Sequence, residues 1–317
     1  MAHAIRFVVL FAVAPKQPLM LRLSMANVTF IVVTRNSASS LEHTLRSIQQ
    51  QTWSDGYIQT VLVDNDSSDD TLAIAQDFSW VKTLPQRANN GFAAGNNVAI
   101  HHAPADYYML VNPDVILHQN WLFKMMEALE ADLTVGIAGS KIFYSNRLLL
   151  QHAGAIVSDN GLTSHRGARE LDIGQYDTLT DVQYVTGAAL ATRDSVARRL
   201  NFLPEAYFLY FEEVEYCLNA RKAGWRVAYV PGAMAYHNEL YSQSGAETWR
   251  YLWLYHRARY LFVLRNMSSP EVRRHFLKAE GDWRRRYIRS FPYRLLLVAC
   301  KLVHWRLLVK NPWILGA

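Results

Sequence analysis

Asp106-Tyr-Tyr-Met-Leu-Val-Asn-Pro-Asp114-Val115 decides the reading of the fold. Tyr107 to Val111 is an apolar, β-favouring run that leads straight into Asn112, Pro113 and Asp114. A buried strand that delivers a carboxylate to its carboxyl end suits chemistry, because ligands of open α/β sheets sit in the crevice outside those ends. The bland alternative is an Asx-type turn that merely closes the strand.

Working outward, Val28-Thr-Phe-Ile-Val-Val33 is too uniformly apolar for an exposed strand and reads as a central parallel one. It ends at Thr34-Arg-Asn-Ser37, and Ser39-Ser-Leu-Glu42 then predicts a capping box for a helix running to about Gln51. Ile58 to Val63 is a second buried strand, stopped by Asp64-Asn-Asp-Ser-Ser-Asp-Asp70. Thr71 to Phe78 reads as helix, Val81 to Leu84 as strand, and Phe92 to Ala103 as helix after a glycine break. Downstream, Trp121 to Glu130 is amphipathic helix and Val135 to Gly139 a strand. Short strands are expected near Gln151 to Gly154 and Ala155 to Val157, and Val182 to Val185 then runs into Thr186 to Leu190. A short helix spans Arg193 to Leu200, and an acidic helix starts at Glu212 and stops at Gly224, a natural C′ position. Arg226 to Val230 is the last strand, and it approaches His237.

The repeated order of strand, polar loop and helix predicts an α/β fold, a mostly parallel sheet flanked by helices. Parallel strands share a direction, so the loops after Thr34, Asp64 and Asn112 should emerge on one edge. That convergence is the strongest residue-level argument for a site there.

The chain has 317 residues, half of them hydrophobic and 19% charged, enough to bury a sizeable core. Two cysteines, Cys217 and Cys300, make neither a disulfide framework nor a metal-spaced cluster, and a reducing cytosol is the natural compartment. The net charge of +6 is uneven: residues 250–310 hold 15 Lys and Arg against three acids, so this segment carries +12 and the remainder −6. Residues 27–241 read as the α/β domain and 242–317 as a basic, aromatic, helical region. Residues 1–26 read as an upstream extension or misassigned start, since Pro15 and Pro18 stand where a signal cleavage site would lie.

Several residues carry candidate chemistry. Asp114 is a suitable oxygen ligand for a hard cation such as Mg²⁺ or Mn²⁺, and His237 is a candidate for a second ligand. A lone histidine is more often structural. Asp64 could accept hydrogen bonds from a ligand or simply order a turn. In Asn89-Asn-Gly-Phe-Ala-Ala-Gly-Asn-Asn97, Gly91 and Gly95 permit close backbone approach, and Asn96 and Asn97 offer donors and acceptors suited to a phosphate. Glu212, Glu213 and Glu215 open a helix, where carboxylates favour the macrodipole. Glu213, crowded by the other two, is the better general-base candidate.

Taken in order, these pieces resemble the family 2 glycosyltransferases of the GT-A fold, in the branch that includes bacterial rhamnosyltransferases. The resemblance covers about Val28 to His237. It rests on Val32-Val-Thr-Arg-Asn36, Val63-Asp-Asn-Asp-Ser67, Asn89 to Asn97, Leu110-Val-Asn-Pro-Asp114, Gly187, and Phe211-Glu-Glu-Val-Glu-Tyr-Cys-Leu218 with Arg221-Lys-Ala-Gly-Trp225. It implies an inverting, metal-dependent transfer of a sugar, rhamnose being one candidate, from a dTDP- or UDP-sugar to a glycan or lipid-linked glycan in cell-surface polysaccharide synthesis. Thr34 and Asp64 would contact base and ribose, with Asn36, Asn89, Gly91, Asn96, Asn112 and Gly187 completing the donor site. Asp114 would match the metal-binding aspartate of the Asp-x-Asp motif, His237 the histidine that completes the metal site, and Glu213 the base. Asn112 replaces the first aspartate of the motif, and Glu213 replaces the usual aspartate base, so Glu212 is an alternative for that role. No Gln-x-x-Arg-Trp motif is present, which argues against a processive synthase. A nucleotidyltransferase lacks its Gly-rich basic phosphate loop here; a degenerate sugar-nucleotide-binding subunit stays open.

The tail, Trp249 to Trp313, alternates aromatic and Arg-rich clusters, and Lys301 and Arg306 interrupt its most apolar helix. That pattern suits a peripheral contact with the cytoplasmic face of the inner membrane better than a spanning helix. A helical cap on the domain and a homodimer contact are the alternatives, and nucleic acid is disfavoured.

Overall fold

A computed structural model describes residues 25–54, 56–158, 161–238, 245–267 and 269–287. Most of residues 1–26, and the tail beyond 287 with its Leu295 to Trp305 helix and Cys300, lie outside the described residues.

The first half repeats strand and helix: β1 (Val28–Thr34), α1 (Leu41–Gln49), β2 (Ile58–Asp64), α2 (Thr71–Gln76), β3 (Val81–Pro85), α3 (Phe92–His102) and β4 (Tyr107–Val111). A short β5 (Val115–Leu117) precedes α4 (Trp121–Ala131) and β6 (Val135–Tyr144). An excursion of small strands follows: β7 (Leu150–His152), β8 (Ala155–Val157), β9 (Thr163–His165) and β10 (Thr180–Asp181). The chain then returns through β11 (Ala189–Arg193), α5 (Asp194–Arg199), α6 (Glu212–Lys222), β12 (Arg226–His237), α7 (Gly245–Asn266) and α8 (Pro270–Tyr287).

The main sheet runs β10-β12-β6-β11-β4-β1-β2-β3. β1 pairs in parallel with both β2 and β4, Thr34 lies opposite Asp64, and β12 runs parallel to β6. β11 is the exception in the middle, antiparallel to both β4 and β6. The expected loop convergence is therefore present. The sheet is buried on both faces, which is why β1 reads as a continuous apolar run. Phe30 and Val32 join α1 and α4 on one side, while Ile31 and Val33 join α3, α6 and α7 on the other.

Local chemistry departs from expectation in three places. Glu42 does not close a capping box: α1 begins at Leu41 without a side-chain cap, and Glu42 accepts from Arg46 one turn on. β12 continues past Val230, the expected end, to His237; a register shift between Val230 and Met234 absorbs Pro231 and Gly232. β5 was not foreseen at all. The end of α6 is as expected, with Gly224 at φ +94°, its N–H donating to the Arg221 carbonyl and that of Trp225 to the Ala220 carbonyl, a Schellman closure.

Glu215, on the buried side of α6, is held by α7. Arg265 Nη2 donates to its Oε1 at 2.9 Å, Asn266 Nδ2 to its Oε2 at 2.6 Å, and the Tyr207 hydroxyl to the same oxygen. Burial opposes ionisation of this carboxyl, but these hydrogen bonds outweigh it and hold the group below the ordinary glutamate range. Arg265→Ala should strand a buried charge and cost about 2–3 kcal/mol, given the partial exposure of the arginine. A melting curve near pH 7 should show Tm lower by roughly 3–5 °C; an unchanged Tm would show that α7 does not depend on this pair.

Candidate active site

The carboxyl edge of the sheet is built by laced loops. Asn65 N–H donates to the Thr34 carbonyl at 2.8 Å, joining the ends of β1 and β2. Asn36, in the left-handed region at φ +50°, accepts from Ser68 N–H at 2.8 Å, and its own N–H donates to Ser67 Oγ at 2.9 Å. Asp64 is buried, and its carboxylate accepts from the hydroxyl and N–H of Ser67. It orders the loop as well as facing the edge. Thr34 Oγ1, Asn65 Oδ1 and Asn96 Oδ1 are buried polar atoms with no hydrogen-bond partner, a deficit that a polar ligand would relieve.

The glycine-rich stretch uses its close approaches on the protein itself. Gly91 sits at φ +88°, where a Cβ would lie 2.2 Å from the Phe208 carbonyl oxygen, and one on Gly95 would lie 2.6 Å from Val33. Asn89 Oδ1 accepts from Gly91 N–H at 3.0 Å, and Asn97 binds Leu203 and Glu205. Asn96 alone of that pair keeps an unused acceptor.

Asp114 and His237, 123 residues apart in sequence, meet at one edge: Asp114 Oδ1 and His237 Nε2 are 3.1 Å apart. β5 causes this. It turns back immediately after Asp114 and pairs antiparallel with β12, setting Val115 opposite His237. α1 steadies the turn, with the Thr44 hydroxyl donating to the Pro113 carbonyl at 2.8 Å. The other ring nitrogen of His237 meets the Gln151 amide oxygen at 2.9 Å.

A cleft of about 350 Å³ opens beside this pair, lined by Asn112, Gly187, Glu212, Glu213 and His237 among others. Gly187 leaves room there, since a Cβ would lie 3.2 Å from the Phe92 ring. Burial pushes the Glu213 carboxyl up to about 7. Burial, and then the charge of Glu213, push Glu212 well above the ordinary range, and its Oε2 has no partner. Glu213 is partly exposed to the cleft while Glu212 is 3% exposed.

Residues 29–197, more than half of the chain, match the profile of Glycosyl transferase family 2. The chain belongs to that family. One family relative, the N-acetylglucosaminyl-diphospho-decaprenol L-rhamnosyltransferase of Mycobacterium tuberculosis, is 25% identical over 260 residues, 74% of this chain and 82% of the relative. Protein y4gI of Sinorhizobium fredii is 28% identical over 233 residues, which make up 70% of this chain. The chain spans only 25% of the length of that protein. GalNAc-T7 solved with UDP, GalNAc and Mn²⁺ superposes with a TM-score of 0.62 at 14% identity, covering 80% of this chain and 50% of the other. A Pyrobaculum calidifontis mannosyltransferase solved with GDP-Man and Mn²⁺ gives 0.56 at 15% identity, covering 92% and 85%. These likenesses show the GT-A fold.

In this family 2 domain, sequence reasoning passed over the residues that complete the cleft. Tyr184, Tyr210, Tyr255 and His165 also line it. Phe208, Tyr210 and Phe211, just before Glu212, hold φ near +70°, an unusual run for aromatic residues and the kind of strain that collects at functional sites. Nothing in their residue types announces that backbone. The raised Glu213 pKa carries a stability consequence. Its folded value lies above the ordinary 4.5, so the native state loses stability as pH climbs from there to about 7. Glu213→Gln should therefore gain Tm over the parent progressively across that window and keep a constant advantage above it. A constant Tm difference from pH 4 to 8 would contradict the shift.

Proposed function

We propose that the chain is an inverting, metal-dependent glycosyltransferase that moves a sugar from a nucleotide-sugar donor to a glycan or lipid-linked glycan. The observation that carries this reading is the meeting of Asp114 and His237 beside the cleft that holds Glu213.

The donor set fits a hard divalent ion. Asp114 and His237 would hold Mg²⁺ or Mn²⁺, and among the described residues no group of three or more His, Cys, Asp or Glu is placed to enclose one. Two protein ligands, with diphosphate oxygens and water making up the rest, is the usual Mg²⁺ arrangement in phosphate chemistry. When bound, the ion would supply charge stabilisation to the departing nucleoside diphosphate. Mn²⁺ accompanies both structural neighbours cited.

The protein's own residues do the rest. Thr34, Asn36 and Asp64 receive base and ribose, where the buried Thr34 Oγ1 and Asn65 Oδ1 have no hydrogen-bond partner. Asn89, Gly91 and Asn96 shape the adjoining turn, and Asn112 and Gly187 line the cleft toward the sugar. Glu213 takes the proton of an acceptor hydroxyl; that oxygen attacks the anomeric carbon as the bond to the diphosphate oxygen breaks, and configuration inverts. A base titrating near 7 is matched to a near-neutral operating pH. Glu212, more buried and crowded by Glu213, stays protonated more readily and is the poorer base.

The donor is a dTDP- or UDP-sugar, with rhamnose favoured by the M. tuberculosis relative, whose name also states a lipid-linked acceptor. With a panel of such donors and Mn²⁺, Asp114→Ala should lose about 10²-fold or more in turnover. Glu213→Gln should lose roughly 10²–10⁴-fold in kcat with donor affinity kept. Turnover of Asp114→Ala equal to the parent would sink the metal assignment.

The basic C-terminal region supports contact with the anionic cytoplasmic face of a membrane. No helix among the described residues is long and apolar enough to cross a bilayer. The full chain should sediment with vesicles containing phosphatidylglycerol and be released as salt rises. Equal sedimentation with purely zwitterionic vesicles would argue against an electrostatic contact.

A further inference from the structure

His237 is not held by Asp114 alone. Its Nδ1 lies 2.9 Å from Gln151 Oε1, a side chain that is itself only 7% exposed. An amide oxygen can only accept, so Nδ1 must carry the hydrogen and donate it. In the neutral ring this leaves the lone pair on Nε2, the nitrogen that faces Asp114 Oδ1 at 3.1 Å. In that neutral form two acceptors face each other across the edge of the sheet, an arrangement that a cation beside them satisfies, as does a second proton on the ring.

The backbone is shaped to place this amide. Leu150 pairs with Phe143 and His152 with Ile142, so Gln151 is an extra residue on β7, a β-bulge. Bulges re-aim side chains and gather beside active sites. The segment is anchored on both sides of the bulge: Leu150 N–H donates to the Glu170 carbonyl at 2.8 Å, and Ala153 N–H to the Arg166 carbonyl at 2.9 Å. Leu150, Gln151 and His152 are all buried. An amide in a fixed backbone, reaching a histidine 86 residues away, is a built contact and not a chance surface one.

We propose that Gln151 is a positioning residue for the metal site: it fixes the ring orientation and the Nδ1–H tautomer of His237, so that Nε2 is presented as a ligand beside Asp114. The inference rests on the metal-dependent reading above. Outer partners of ligating histidines typically account for about 10–100-fold in metal affinity.

The test is Mn²⁺ affinity of the full chain in the presence of UDP, read from the electron paramagnetic resonance signal of free Mn²⁺, with Tm measured alongside. Gln151→Leu, which keeps bulk and removes the acceptor, should weaken Mn²⁺ binding by about 10–100-fold with Tm little changed. Gln151→Glu, which still accepts from Nδ1–H, should stay within about threefold of the parent, a rescue that lost packing would not give. Parent-like Mn²⁺ affinity in Gln151→Leu, with Asp114→Ala defective, would overturn the role of Gln151 and leave the metal site standing. Equal Mn²⁺ binding by the parent and Asp114→Ala would instead overturn the metal reading itself. A second measurement needs no Gln151 variant. Long-range proton–nitrogen correlations of the histidine rings in the parent, at a pH where the rings are neutral and with His237 assigned by its loss in His237→Gln, should show the proton on Nδ1; a proton on Nε2 overturns the proposal.

Discussion

The pairing of β5 with β12 is the constraint on which the rest of the site depends. Val115 lies opposite His237, and that register alone brings a carboxylate from the fourth parallel strand within 3.1 Å of an imidazole from the last strand. Because side chains alternate along a strand, a slip of one residue would turn His237 to the other face and dissolve the pair. The register is protected from several directions. Asn238 N–H donates to the Asp114 carbonyl at 2.9 Å, His118 N–H to the Met234 carbonyl at 3.0 Å, and Thr44 fixes the turn from α1. The long shift across Pro231 and Gly232 lets β12 follow β6 at both ends and still deliver His237 to the edge.

The three glutamates at the start of α6 show how one helical turn is divided between structure and chemistry. They share a favourable position near the positive end of the helix dipole, yet their surroundings separate them. Glu215 faces α7 and is consumed by Arg265, Asn266 and Tyr207, which keep it ionised. Glu212 and Glu213 line the cleft with no salt bridge among the described residues, and burial raises both. The left-handed backbone of Phe208, Tyr210 and Phe211 sets where that turn begins, and the Phe208 carbonyl in turn receives the N–H of Phe92 at 2.9 Å, tying the acidic helix to the start of α3. The described part of the C-terminal region is therefore not a loose appendage: Phe262 and Val263 of α7 and Phe276 of α8 share the core that underlies α3 and α6.

Much of this was legible from residue order. The apolar runs at Val28, Ile58 and Tyr107 could only be strands buried on both faces, and the polar loops after them had to emerge together. Gly224 could be placed at the end of α6 because a left-handed C′ residue is a local requirement. Where local cues competed with partners distant in sequence, the reading failed. Ser39 and Glu42 have the spacing of a capping box, but Arg46, one turn on, takes the carboxylate. Pro231 and Gly232 look like a strand end, and pairing with β6 carries the strand through them. Three-residue β5 has too few residues to show a period of two, although the site rests on it.

By itself the sequence determined the class of fold, the edge on which the loops gather and the residue types present there, because hydrophobic period and turn chemistry act over a few neighbouring residues. Only the tertiary structure decided which of those residues meet. Asp114 meets His237 across 123 residues, His237 meets Gln151 across 86, and Glu215 is withdrawn by Arg265 across 50. Strand register, a bulge and helix packing set those contacts, and they are properties of two segments at once, so no single stretch of sequence contains them.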